Sequence, residues 1–488
     1  MNLNPATAVD GYKIDHKRQY PIGTQIVFSN LTSRGTRRKD TEEVAFAGLQ
    51  YFIKDFLIKN WNENFFKKDK ASVVAAFVRR INNYLGPNNV GTKHIEDLHD
   101  LGYLPIRILS LPEGTVYPLR VPCLAIYNTK EEFFWLTNYL ETILSTNIWG
   151  MCTSATTAYQ FKKILNKEAL ETVGNTDFVQ WQGHDFSFRG MYGAEAAMMS
   201  GAAHLFSFTG TDTIPAIDFL EEYYNANSDK ELVGGSVAAT EHSVVCAGGE
   251  EDELGTFRRL ITEVYPSGIV SLVSDTWDFW QVITKFTRIL YDEIVSRDGK
   301  VVFRPDSGDP VKIVCGDLNA DPNSPEFKGA VECLWDIFGG SISALGYKIL
   351  NPKVGLIYGD SINIDRAKDI VSKLKEKGFA STNIVLGIGS FSYNYVSRDT
   401  DNYAVKATFA KINNINKEIS KNPKTDSGMK KSAKGLTAVF KDSSGKFYLK
   451  DQATWEEVNN CELIPIFENG KLLKDYTLSE VRNNLSKY

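Results

Sequence analysis

Seven stretches in the middle of the chain repeat one pattern: an apolar run of strand length that stops abruptly in polar residues. They are 178–190 (FVQWQGHDFSFRG), 204–212 (HLFSFTGTD), 236–243 (SVAATEHS), 268–275 (GIVSLVSD), 300–309 (KVVFRPDSGD), 353–360 (KVGLIYGD) and 383–390 (NIVLGIGS). Amphipathic segments separate most of them, among them IPAIDFLEEYYNA, GTFRRLITEVY, TWDFWQVITKFTRILYDEIV, FKGAVECLWDIFG and NIDRAKDIVSKLKEK. Strands apolar on both faces belong in parallel sheets covered by helices, and strand–helix alternation marks α/β architecture. The pattern predicts an incomplete TIM-like α/β barrel of about seven strands over residues 178–392. In such a barrel the chemistry sits where the C-terminal strand ends open.

The flanks read differently. In residues 1–177, GTQIVFSNLTSR reads as a strand and LQYFIKDFLIKNW as a helix. Residues 103–128, with prolines and β-formers, predict a small antiparallel sheet. FFWLTNYLETILSTNIW has helical apolar spacing, and TTAYQFKKILNKEALETV reads as a further helix. In residues 393–488, YAVKATFAKI and LTAVFKD read as strands of a second antiparallel sheet. Between them lies a basic loop, 412–435, either a solvated surface loop or a flap over an anionic ligand. The two flanks are expected to join into one mainly antiparallel α+β domain beside the barrel.

A chain of 488 residues needs no disulfide staples. Cys123, Cys152, Cys246, Cys315, Cys333 and Cys461 form no C-x-x-C pair, which favours free thiols over a zinc site. A net charge of −5 gives no basic field for nucleic acid. No apolar run reaches membrane-span length, and the start carries no secretory pattern, so a cytoplasmic protein is the expectation.

The polar strand ends supply the candidate chemistry. Phe186 can stack on a flat heterocycle or be plain core, and Arg189 can grip phosphate or a carbonyl. Asp212 can cap the following helix or accept hydrogen bonds from a substrate amide. His242 can be a packed histidine, a proton shuttle or a phosphorylated group. Arg304 and Asp306, two apart, share one side of a strand and suit a ligand with phosphate and ribose, or form a structural pair. Asp275 is a candidate for magnesium, Gly359 permits close backbone approach beside Asp360, and the GIGS turn with Gly389 and Ser390 can cradle phosphate. There is no G-x-S-x-G elbow, Walker A sequence or strand-placed G-x-G-x-x-G. The mixture fits a flat base plus a phosphorylated sugar. No run ends in lysine, which disfavours a Schiff-base aldolase.

At these residues the chain resembles the nicotinamide phosphoribosyltransferase family nearly end to end: VDGYKIDHKRQYP, FFWLTNYLETIL, HDFSFRG, GTDT, EHS, VSD, RPDSG, GD and ENGKLLKDYTLSEVR recur in order. The resemblance implies a pentosyltransferase of NAD salvage that joins nicotinamide to 5-phosphoribosyl-1-pyrophosphate. It also implies magnesium, ATP as co-substrate, and a homodimer with interfacial active sites. Phe186 would form one side of an aromatic sandwich around the pyridine ring, and Tyr12, beside Asp10, the other side from the second subunit. Asp212 would hold the carboxamide NH₂, Arg189 and Arg304 the amide oxygen and phosphates, and Asp306 would face the ribose. Gly359, Asp360, Gly389 and Ser390 would hold ribose and 5′-phosphate. His242 would be phosphorylated by ATP, with Asp275 and Ser271 nearby. Arg34, Arg398, Lys406, Lys430 and Lys434 would reach pyrophosphate from the partner. Ser390 and Phe391 stand where the family's loop usually has glycines, so a stiffer loop is expected. A nicotinate-specific enzyme and a non-catalytic signalling protein are the rival readings; Asp212 and the full set of mouth residues weigh against them.

Overall fold

The computed structural model describes residues 3–420 and 433–488. The chain divides into two compact units, Met1–Thr156 with Phe219–Ala226 and Val396–Tyr488, and Thr157–Asp218 with Asn227–Tyr395.

The second unit is the barrel. Its seven strands are β1 (Gly183–Asp185), β2 (Gly210–Thr211), β3 (Ala238–Ala239), β4 (Ser267–Val273), β5 (Asp298–Arg304), β6 (Val354–Tyr358) and β7 (Ile384–Ile388). Every pairing between neighbours is parallel. A bridge between Gly210 and Gly235 joins β2 to the approach of β3, so the order runs β1 to β7 and back to β1. Alternation decides which residues face in. Val270, Leu272, Val301, Phe303, Leu356 and Leu386 point outward and pack with helix residues such as Val282, Ile283, Leu334, Ile370 and Leu374. Burying one such side chain contributes about 1.5–3 kcal/mol. The alternate residues Ile269, Ser271, Lys300, Val302, Arg304, Gly355, Ile357 and Val385 line the interior.

The other unit is built on a seven-stranded antiparallel sheet. Its order is Ile415–Glu418, Tyr403–Ile412, Thr24–Ser33, Pro122–Asn128, Ile106–Ser110, Ile464–Glu468 and Lys471–Leu472. Three N-terminal strands therefore form the centre of one sheet and C-terminal strands both of its edges, with Thr24–Ser33 paired to Tyr403–Ile412 along its length.

Several elements differ from the sequence reading. The two helices expected after residue 133 are one, Glu141–Thr172, because the isolated Gly150 does not break it. LTAVFKD does not join the sheet of YAVKATFAKI; Ala438–Lys441 pairs with Phe447–Lys450 around a turn that Asp442 Oδ1 holds through the N–H groups of Ser444 and Lys446. The first two barrel runs are mostly not strand: Val179–Gln182 and Ala194–Leu205 are helices, leaving strands of three and two residues. Short apolar runs look alike in a buried helix and a buried strand. Among the described residues no helix is long and apolar enough to cross a membrane.

Candidate active site

The C-terminal ends of β1 to β5 bring six of the candidate side chains, Phe186, Asp212, His242, Asp275, Arg304 and Asp306, to one rim. β1 runs directly into Phe186, whose N–H is held by Ile388 O of β7 at 3.0 Å. Its ring lies 4.6 Å from the His184 ring. Residues 184 and 186 share a face by strand alternation, and His184 carries the link to β2: its Nε2 is 2.8 Å from Asp212 Oδ1. Ser236 Oγ donates to the same Oδ1 at 2.8 Å. Asp212 thus turns away from capping the next helix, and among the described contacts its Oδ2 accepts no hydrogen bond. Burial pushes the Asp212 carboxyl up, but the His184 bond and charge, Ser236 and Arg304 outweigh it, and its pKa falls below the ordinary value. It stays an ionised acceptor.

β5 delivers Arg304 and Asp306. Arg304 Nη2 donates to Thr240 O, tying β5 to the end of β3. Its Nε lies 3.8 Å from Asp306 Oδ1, too long for a hydrogen bond. Both atoms are buried without a hydrogen-bond partner. A β-carbon at Gly359 would stand 1.9 Å from Asp306 Oδ1, so only glycine allows the end of β6 this close to the carboxylate. Burial raises the Asp306 pKa; Arg304 opposes that rise, while Asp275 and Asp360 add to it.

His242 opens the helix His242–Gly248 just beyond β3, where the sequence reading had a strand end. Its Nε2 lies 3.7 Å from Asp275 Oδ1 and 3.7 Å from Asp306 Oδ2, while Nδ1 meets Thr276 Oγ1 at 3.0 Å. The Asp275 side chain is only 4% exposed. Its Oδ2 accepts from Asp306 N–H at 2.8 Å and Ser307 Oγ at 2.6 Å, but Oδ1 has no hydrogen-bond partner. Unpaired buried carboxylate oxygens are costly and call for a ligand, ion or water.

The remaining candidates in this unit lie around the same opening. Asp360 is exposed beside Gly359. Gly389 precedes the short helix Ser390–Tyr393, against which the turn carrying exposed Arg189 is held by Asn394 Nδ2 donating to Gly190 O. Phe391 stacks on Tyr395 and under the Arg366 guanidinium. Ser271 sits lower, with its Oγ buried, unpartnered and on the cavity wall. Phe186, Asp212 and Arg304 line the top of a cavity of about 420 Å³ that continues down the barrel interior.

The other unit holds the rest. Tyr12 is 68% exposed, and its hydroxyl donates to Asp10 Oδ2, which also accepts from Thr142. Arg34 donates to Asn402 Oδ1, Arg398 pairs with Asp399, Lys406 lies 4.0 Å from Glu141, and Lys434 pairs with Glu418. Lys430 lies outside the described residues.

Sequence reasoning missed His184, Ser236, Thr240 and Thr276. Period-two spacing from Phe186 marks His184; nothing in the sequence marks Thr276.

Two family models match the chain. One described as the nicotinamide phosphoribosyltransferase N-terminal domain covers residues 4–108, and one described as the nicotinate phosphoribosyltransferase (NAPRTase) family covers residues 181–457. A nicotinamide phosphoribosyltransferase of Acinetobacter baylyi is 52% identical over 100% of this chain and 98% of its own. Enzymes of that name from Mycoplasma pneumoniae (34%, 87% of this chain and 93% of theirs) and Xanthomonas campestris (32%, 97% and 96%) are similar as well. Two solved structures share the fold. A nicotinate-nucleotide pyrophosphorylase from Pyrococcus furiosus has a TM-score of 0.59 at 14% identity, covering 99% of this chain and 95% of its own. Human nicotinic acid phosphoribosyltransferase has a TM-score of 0.50 at 13% identity, covering 98% and 91%.

Proposed function

The chain belongs to the nicotinamide phosphoribosyltransferase family, and from that premise we propose that it joins nicotinamide to 5-phosphoribosyl-1-pyrophosphate, giving nicotinamide mononucleotide and pyrophosphate for NAD salvage. The observation that carries the reading is the open Oδ2 of an ionised Asp212 beside the Phe186 ring on one cavity. A carboxylate accepts from the amide NH₂ of nicotinamide and repels the carboxylate of nicotinate.

Phe186 and the Asp212 contact hold the ring so that its nitrogen faces the ribose C1. Loss of pyrophosphate builds oxocarbenium character at C1. Asp306 faces that charge, and Arg304 and Arg189 serve the amide oxygen and the phosphates. Gly359, Asp360, Gly389 and Ser390 take the ribose and 5′-phosphate. Tyr12, beside Asp10, closes the ring's other face from a second subunit of a homodimer, whose Arg34, Arg398, Lys406, Lys430 and Lys434 reach the pyrophosphate.

ATP coupling runs through His242. With Nδ1–H given to Thr276 Oγ1, the open Nε2 takes the γ-phosphoryl group; the N–P bond forms as the P–O bond to ADP breaks, and water later releases phosphate. Magnesium fits the donor set. Asp275 Oδ1 and Asp306 Oδ1 are hard, buried and unpartnered, and among the described residues no trio of His, Cys, Asp or Glu is arranged to hold a metal alone. That suits an ion shared with substrate oxygens; bound there it would neutralise phosphate charge. A cytoplasmic location belongs to the same proposal.

Incubation with nicotinamide and 5-phosphoribosyl-1-pyrophosphate, with and without ATP and with nicotinate in parallel, tests this. Mononucleotide from nicotinamide, increased by ATP, is expected; product from nicotinate alone overturns the reading.

A further inference from the structure

The turn that follows β7 at Gly389 and Ser390 is fastened through three successive side chains. Ser392 Oγ donates to Ile362 O at 2.8 Å, Tyr393 Oη meets His204 Nδ1 at 2.6 Å, and Asn394 Nδ2 donates to Gly190 O at 2.8 Å. Gly190 also packs directly on the turn: a β-carbon there would stand 2.1 Å from Ser390 Oγ. Tyr393 and His204 are both buried, and neither lines the barrel cavity. Buried as they are, neither touches a substrate.

The second nitrogen of His204 fixes the direction of the tyrosine bond. Nε2 lies 3.0 Å from Gly210 O, and a carbonyl only accepts, so Nε2 carries the proton. Nδ1 is then a lone pair, to which Tyr393 Oη donates. Burial pushes the His204 pKa down to about 4, against the opposing charge of Asp185, so the ring is neutral at neutral pH. His204 stands in the last turn of the helix Ala194–Leu205, and Gly210 lies two residues before Asp212. One hydrogen-bonded chain thus runs from the strand that leads to Asp212 to the turn that carries Gly389 and Ser390. A phenylalanine at 393 would fill nearly the same space; the hydroxyl adds the bond, and burying it without one is unfavourable.

We propose that Tyr393 and His204 are positioning residues that hold the Gly389–Ser390 turn in its phosphate-binding shape before substrate arrives, an inference that rests on the reading that gives those two residues the 5′-phosphate. A turn of glycines is ordered by the phosphate itself, and that ordering weakens binding. Here Ser390 and Phe391 have less backbone freedom, and the bonds of the next three side chains set the turn in advance. β2 keeps its place through its pairing with β1. Loss of the tyrosine bond therefore frees the turn rather than Asp212, and its effect falls on the phosphate and not on the amide.

Tyr393→Phe in the full chain tests this with the packing volume nearly unchanged. KM for 5-phosphoribosyl-1-pyrophosphate is expected to rise about five- to tenfold, with KM for nicotinamide and kcat within about twofold. Calorimetric titration without turnover is expected to show the same loss for ribose 5-phosphate and none for pyrophosphate, which carries no 5′-phosphate. His204→Asn keeps an acceptor oxygen at the Nδ1 position and is expected to hold ribose 5-phosphate within about threefold of the parent, whereas His204→Leu matches Tyr393→Phe. Were the His204 variants to unfold early, Tyr393→Phe and the two titrations decide alone. No binding of ribose 5-phosphate to the parent, equal binding to Tyr393→Phe, or an equal loss for pyrophosphate and nicotinamide overturns the proposal. A parent that makes no mononucleotide, yet binds ribose 5-phosphate in a manner that depends on Tyr393, would overturn the reaction and leave this inference standing.

Discussion

In the flanking unit Glu113 is buried, and both its oxygens are occupied: Oε2 accepts from Gly48 N–H at 2.9 Å and Tyr224 Oη at 2.7 Å, and Oε1 from Gln50 N–H at 2.6 Å. Asp401 in the same unit is likewise covered by Arg38 and Thr36. At the barrel mouth, Asp275 is held through Oδ2 alone by Asp306 N–H and Ser307 Oγ, and Asp275 and Asp306 each leave a buried Oδ1 with nothing to bond. Arg304 Nε is open in the same way. For these carboxylates burial is common to both regions, and satisfaction is not. A buried carboxylate with every lone pair engaged serves the fold. One left half-engaged at a strand end waits for a ligand.

Substitutions can break this contrast, and the largest effect is expected at the rim. Arg304→Ala should lower kcat/KM for mononucleotide synthesis by about 10²–10³-fold, with little change in thermal unfolding; a loss of stability with turnover per folded enzyme intact would reverse the assignment. His242→Ala should bring the ratio of rates with and without ATP to about one while some basal synthesis persists. Label transfer from γ-labelled ATP equal to the parent's would contradict it. On the other side, Glu113→Ala should cost about 1–3 kcal/mol of stability by orphaning its donors, with kcat/KM within about twofold, as read by denaturant unfolding and steady-state kinetics. Asp212→Asn should reduce the preference for nicotinamide over nicotinate by about tenfold; an unchanged ratio refutes the role.

Glu253 sharpens the rule. Its Oε1 is buried and unpartnered in the barrel unit, yet it does not line the cavity. Burial first, then Asp278 and Glu250, pushes its pKa up to about 7, above the ordinary 4.5. For an acid raised in this way, the stability tied to the protonated form is complete below the unfolded value and is lost as pH rises through the folded one. Glu253→Gln should therefore be more stable than the parent at about pH 8, equal at about pH 4, and unchanged in turnover. A fall in kcat/KM would make Glu253 part of the site.

Where strand runs are long, as in β4 and β5, hydropathy located the strand and the rim residue that follows it; runs apolar on both faces did not mark which residues face inward. β2 and β3, with two residues each, are visible only through the parallel pairing of their neighbours. Phe186, Asp212, Arg304 and Asp306 were legible as residues closing apolar runs, whereas His242, read as a strand end, opens a helix. Their open atoms were not legible, since the partners that occupy one atom and spare the other (His184, Ser236 and Ser307 on carboxylate oxygens, Thr276 on His242 Nδ1) come from separate segments of the chain. Lys300 was read only as the start of a run; its exposure to a cavity follows from ring closure through Gly210 and Gly235.

The most direct test is a crystal structure of the chain with nicotinamide bound. The ring should lie against Phe186 with its amide nitrogen on Asp212 Oδ2. Nicotinamide seated away from both residues, with that oxygen still unengaged, would contradict the account.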